Sequence, residues 1–169
     1  FETIDFAKLP GMELKAFPGI NAVTHDAAGN IWIGYNGGGL LKYIPKERKV
    51  VSLGINDGLP TNFISGLAFD KNNRLWLNTF KGLSCYVVSE NKFVNFKKED
   101  GLIDDYFSDY CIYYDSSRNE LWTGANSALM VFNPDELLKL NLQVFPVYTD
   151  EITINGRRYT DTLLDNIQL

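Results

Sequence analysis

Apolar and polar residues alternate in short runs along most of the chain, and glycine, asparagine and aspartate break the runs. The stretch 64–96 shows the pattern best. Ile64, Gly66 and Ala68 fall on one face and Ser65, Leu67 and Phe69 on the other; further on, Leu75 and Leu77 alternate with Trp76 and Asn78. Period two in short β-branched and aromatic runs predicts strands. Four are expected, at Ile64–Phe69, Arg74–Thr79, Leu83–Val88 and Lys92–Phe96. Asp70 is placed to close an Asx-type turn between the first two.

The pattern recurs. Trp32, Trp76 and Trp122 are the three tryptophans of the chain, 44 and 46 residues apart. Asp26 and Asp70 stand six residues before Trp32 and Trp76, and Asp115 stands seven before Trp122. Tyr43, Tyr86 and Phe132 follow at matching places, and Asp57-Gly58-Leu59-Pro60 matches Asp100-Gly101-Leu102-Ile103. A strand-rich repeat of roughly 40–50 residues predicts β-propeller blades. Three four-stranded antiparallel blades are expected, at about 20–53, 64–96 and 107–132. Phe1–Ile4 aligns with Phe93–Phe96 and reads as the outer strand of a preceding blade, and Met12–Phe17 as an insertion. Three blades do not close a ring, so residues 1–140 read as part of a larger propeller.

Blade three lacks a good fourth strand. Asn133-Pro134-Asp135-Glu136 follows Phe132 instead, with an N-cap residue, proline at the first helical position and acids in the first turn. That predicts one or two helical turns. The repeat is lost from 141 to 169. Gln143–Thr149 and Glu151–Ile154 read as strands, Asn155-Gly156 as a turn, and Arg157–Tyr159 as the start of another strand, so a second module is expected there.

Composition changes this picture little. The 169 residues are 45% hydrophobic and 14% aromatic, with a formal net charge of −5, which argues against nucleic acid as a partner. Lys46, Arg48, Lys49, Lys97 and Lys98 fall near outer strands and read as solvated edge charges. No run of about 18 apolar residues is present to span a membrane. The opening Phe1-Glu2-Thr3-Ile4 is not a secretion signal and reads as a cut from a longer chain. Cys85 and Cys111 sit at non-equivalent places and are expected as small buried side chains.

Catalytic chemistry finds little support. His25 lies beside Asp26 with no nucleophile brought near it by the repeat. Asp104, Asp105 and Asp109 offer acids of the kind that hydrolyse glycosides, but on a connector rich in turn formers. Asp70, Asn72 and Asn73 hint at a calcium loop without its glycine and terminal glutamate. No phosphate loop, nucleotide fingerprint or zinc spacing occurs, so no catalytic residue, metal or cofactor is expected. A ligand is expected on the rim that gathers the connectors between blades and the turns between second and third strands. In this chain those are Thr61, Asn62, Asp105 and Tyr106, with Tyr35, Asn36, Phe80, Lys81 and Asn126. Aromatic faces stack on sugar C–H groups and amides bind hydroxyls.

The blades resemble the repeats of the two-component-regulator propeller family. Blade one carries Asp26, Gly29, Trp32-Ile33-Gly34 and Gly39-Leu40 of its pattern. Blade two carries Gly58-Leu59-Pro60, Asp70, Leu75-Trp76-Leu77, Thr79 and Gly82-Leu83; blade three carries Gly101-Leu102, Asp115 and Leu121-Trp122-Thr123-Gly124. Asn73, Asn78 and Ala128 depart from it, each at a place where the family has glycine. The Asp…Trp turns also resemble the structural Asp-box turns of sialidases. The tail Val147–Arg157 resembles the entry to the immunoglobulin-like triple-tyrosine domain that follows such propellers. The resemblance implies the periplasmic sensor segment of a membrane-bound hybrid sensor histidine kinase. It further implies oligosaccharide ligands from polysaccharide breakdown and a homodimeric full-length receptor, with no enzyme activity in this segment. A protein-interaction propeller without a small ligand, and a propeller lyase or glycosidase, remain as alternatives.

Overall fold

Side chains alternate between the two faces of a strand, and in the inner strands both sets are largely apolar, as Leu75 and Leu77 on one face and Trp76 on the other show, so each face must find cover. The computed structural model, which describes residues 3–6, 9, 19–125, 128–142, 152–154 and 157–159, meets this by stacking sheets. Blade one comprises β1 (Ile20–His25), β2 (Ile31–Tyr35), β3 (Gly39–Ile44) and β4 (Lys49–Leu53), paired in chain order. Blade two repeats it with β5 (Ile64–Phe69), β6 (Arg74–Thr79), β7 (Gly82–Val87) and β8 (Lys92–Phe96). Every pair is antiparallel, and β1 and β5 carry the same register shift near their first residues.

The rear of each blade packs on the front of the next. Trp32, Leu40 and Leu53 of blade one meet Leu67, Leu75, Leu77, Tyr86 and Phe93 of blade two. Trp76, Leu83, Cys85 and Phe96 of blade two likewise meet Leu121, Ala125 and Phe132 of blade three. Each large apolar side chain so buried contributes roughly 1.5–3 kcal/mol. Cys85 and Cys111 are free thiols, and burial pushes that of Cys85 well up.

Blade three differs from the four-stranded expectation. Its sheet has three strands among the described residues: β9 (Ile112–Asp115), β10 (Glu120–Ala125) and β11 (Ala128–Phe132). It opens at Ile112 and not near Phe107. The connector is bonded elsewhere: Ser108 donates its N–H to Gly124 and Tyr110 donates its own to Ser65, with Tyr110 in the left-handed region at φ 59°. Phe107 is buried in the cluster between blades two and three.

Helix α1 (Pro134–Leu142) follows β11 where a fourth strand was doubtful, and is longer than the one or two turns expected. Asn133 caps it by accepting the Asp135 N–H at 2.9 Å, and Leu137 is buried against blades two and three. Trp122 is only half-buried, against the expectation from its equivalents, because no further blade covers the rear of blade three among the described residues.

Two terminal expectations fare differently. Thr3, Ile4 and Asp5 form no strand; with no neighbouring strand among the described residues to pair with, Phe6 instead packs edge-on to Tyr43 at 6.0 Å. Phe1, Glu2 and the insertion Met12–Phe17 lie outside the described residues. In the tail, β12 (Ile152–Ile154) pairs antiparallel with β13 (Arg157–Tyr159), as the two predicted strands require. Gln143–Thr149 lies outside the described residues.

Candidate functional site

The turn between first and second strands is built on one carboxylate. Asp26 Oδ1 accepts the N–H groups of Ala28 and Asn30, and Oδ2 accepts Asn30 Nδ2 and Trp32 Nε1. Burial alone raises the pKa of Asp26; the bonds from Asn30, Trp32 and Ala28 outweigh it and hold the group below the usual carboxylate range. Asp70 repeats the scheme with Asn72, Arg74 and Trp76. In blade three the loop is one residue longer, and Asp115 accepts from Ser117 instead. His25 is exposed beside this turn, its Nδ1 3.2 Å from the Asp26 carbonyl oxygen.

The opposite rim holds the expected ligand positions. Thr61 is buried, and its hydroxyl accepts the Phe63 N–H. Asn62 and Asp105 are equivalent tethers. The Asn62 carbonyl accepts Gly39 N–H and its Oδ1 accepts Ile55 N–H; the Asp105 carbonyl accepts Gly82 N–H and its Oδ1 accepts Lys98 N–H. These side-chain oxygens therefore shape the connectors. Asn36 forms an antiparallel bridge with Phe63, and both Tyr35 and Asn36 are half-buried. Lys81 is exposed, its N–H held by Thr79 Oγ1. Asn126 lies outside the described residues.

Three aromatics of this rim form a row. Phe63 stacks on Phe80 with ring centroids 5.5 Å apart and planes 9° apart. Phe80 in turn meets Tyr106 at 5.0 Å. They remain 44%, 37% and 41% exposed, in that order. Phe63 was absent from the sequence-derived set. Its signal was there: it directly follows Asn62 as Tyr106 follows Asp105.

The rim of the turn aspartates carries a charged cluster. Arg74 Nη2 donates to Asp135 Oδ1 at 2.7 Å, and the same oxygen accepts Asn72 Nδ2. Asn119 Nδ2 donates to Asp135 Oδ2. The bonds from Asn119, foremost, and Arg74 hold the Asp135 carboxyl below its usual range. Burial alone lowers the Arg74 pKa, but Asp70 and Asp135 outweigh it and raise it. A cavity of about 520 Å³ opens beside this cluster, between Val87 and Val94 of blade two and Leu138 of α1. Among the described residues no group of three His, Cys, Asp or Glu side chains is placed to hold a metal, and no helix is long and apolar enough to cross a membrane.

Residues 58–81 match the two component regulator propeller family. The matched span holds the Gly58-Leu59-Pro60 connector, β5, the Asp70 turn, β6 and Phe80-Lys81. No curated protein matches the chain. Among solved structures, the extracellular domain of a protein described as a hybrid two component system, BT4673 of B. thetaiotaomicron, is similar at TM-score 0.61 and 23% identity over 73% of this chain. PorZ, a surface component of the type-IX secretion system of Porphyromonas gingivalis, is similar at TM-score 0.54 and 18% identity over 68% of it. This chain spans 17% of the length of each. Together with the stacked antiparallel sheets, these likenesses show an all-β fold of propeller-type blades, with a regulator-propeller match at residues 58–81.

Proposed function

We propose that this chain is part of the ligand-sensing propeller of a two-component signalling receptor. The propeller part covers residues 1–140, and residues 141–169 open an immunoglobulin-like module. The sensor lies in the periplasm, acts within a homodimeric receptor and performs no catalysis in this segment. Oligosaccharides are its ligands, and the row Phe63–Phe80–Tyr106 is the observation that carries this reading. Three exposed rings in contact on one rim offer apolar faces to sugar C–H groups, with Lys81 and Asn36 close in sequence or pairing to bind hydroxyls. The match of residues 58–81 to the regulator-propeller family supports the sensor class.

Titration of an oligosaccharide panel against the full ectodomain tests it, using the wild type and the variants Phe80→Ala and Tyr35→Ala. Phe80→Ala is expected to weaken binding about tenfold, the equivalent of roughly 1.4 kcal/mol. Unchanged affinity in both variants removes this rim. A wild-type ectodomain that binds no member of the panel removes the ligand class.

A further inference from the structure

The fourth residue after the turn aspartate differs between blades. In blade one it is Asn30, whose Nδ2 bonds back to Asp26 and stays within the turn. In blade two it is Arg74. Its Nε makes the same inward bond to Asp70 Oδ2, and its Nη2 reaches outward to Asp135 on α1. The planar guanidinium fork, with its five donors, can serve two carboxylates at once.

Asp135 is more than a partner for one arginine. It accepts Asn72 of blade two on one oxygen and Asn119 of blade three on the other. Asn119 is itself fixed, for Tyr114 donates its hydroxyl to Asn119 Oδ1. Two blade turns thus converge on the first turn of one helix. On its apolar side the helix buries Leu137 in the cluster of Trp76 and Phe96, with Leu138 packed alongside. A helix of nine residues does not persist in water by propensity alone.

We propose that the Arg74–Asp135 pair is a latch that holds α1 across the boundary of blades two and three, and so fixes the direction in which the chain leaves the propeller. Arg74 is then a positioning residue, and opening of the latch and fraying of α1 are one event. The inference needs no ligand and is independent of the sensor reading.

Native-state hydrogen exchange on the whole chain tests it, comparing wild type, Arg74→Gln, Asp135→Asn and the double variant. The α1 amides are expected to exchange about tenfold faster in either single variant, as loss of a charged hydrogen bond implies. The double variant should be slower than the product of the two single effects, because both singles remove the shared Arg74–Asp135 bond. Asp135→Asn leaves the buried Asp70 turn intact, so the amides of β6 and β7 should keep their protection. Unchanged α1 exchange in Asp135→Asn, additive effects in the double variant, or equal acceleration of β6 and α1 in Asp135→Asn would each overturn the latch.

Discussion

Trp76 donates its indole N–H to Asp70 Oδ2 at 2.9 Å, across the six residues that separate them. Trp32 and Asp26 repeat the bond at the same length. The spacing is therefore a geometric requirement. The aspartate folds the turn with one oxygen and receives with the other the single polar atom of a ring buried between blades. A buried indole N–H left unpaired costs about 1–3 kcal/mol, so the carboxylate ties the turn to the core.

Removing that carboxylate should cost more in blade two than in blade one. Asp70→Ala takes the acceptor from Arg74 Nε, the indole and two backbone N–H groups, and is expected to destabilise by about 3–5 kcal/mol. Asp26 has no arginine partner in its turn, and Asp26→Ala is expected to cost about 2–3 kcal/mol. Urea unfolding of the two variants measures both. Losses below about 1 kcal/mol in each would show that the turns are held by other means.

Acid should weaken the fold through the same group. Asp26 has its pKa lowered in the folded protein, so the unfolded chain binds its proton more tightly. The contribution is complete above the unfolded value of about 3.9. It is lost as pH falls from there through the lower folded value. Asp135 is shifted the same way and adds to the slope. Melting temperature followed from neutral to acid pH should hold level and then fall below about pH 4. Asp26→Asn should flatten part of that fall; an unaltered acid limb would remove Asp26 as its source.

The glycines that open the third strands are constrained by strand four. A Cβ on Gly82 would lie 2.1 Å from the Phe96 carbonyl oxygen, and one on Gly39 2.5 Å from that of Leu53, with φ at 99° and 79°. Gly82→Ala is therefore expected to cost about 3 kcal/mol or more through clash and left-handed backbone combined. Blade three carries Ala128 at this place and has no fourth strand among the described residues. Ala128→Gly should stay within about 1 kcal/mol of wild type. Denaturation midpoints of the two variants decide it, and a mild Gly82→Ala would mean the strand-end contact yields.

Much of this was legible because the repeat compares each residue with two others. The strands of blades one and two, the Asx turns and the helix start at Asn133-Pro134 follow from local chemistry. The departures from the repeat are also physical. Asn73 replaces a turn glycine at φ 56°, a conformation asparagine tolerates. Asn78 replaces a strand glycine and bridges blades by donating to Cys111 O and accepting Thr123 Oγ1, in space left beside Gly66. Contacts between repeats were not legible. Nothing local shows that Asn62 and Asp105 point into their own connectors, or that Phe63 completes an aromatic row. Nor does spacing alone announce that Arg74 reaches a helix 61 residues further on.

Equivalent positions differ most in cover at the rear of blade three. Leu83 is fully buried by blade three, whereas its counterpart Leu129 is 62% exposed. Val131 and Tyr113 are exposed on the same face, beside the half-buried Trp122. In blades one and two this face is the one that meets the next blade. A contiguous apolar face of that kind draws association in water. The isolated chain should therefore self-associate at tens of micromolar, on the order of concentrations at which exposed apolar surface drives aggregation. Leu129→Lys combined with Val131→Lys puts two charges on the face without touching a buried contact, and should return the chain toward monomer. Sedimentation velocity reads both states. A wild-type chain that sediments as a compact monomer, unaltered by the two lysines, would mean that the face is covered from within.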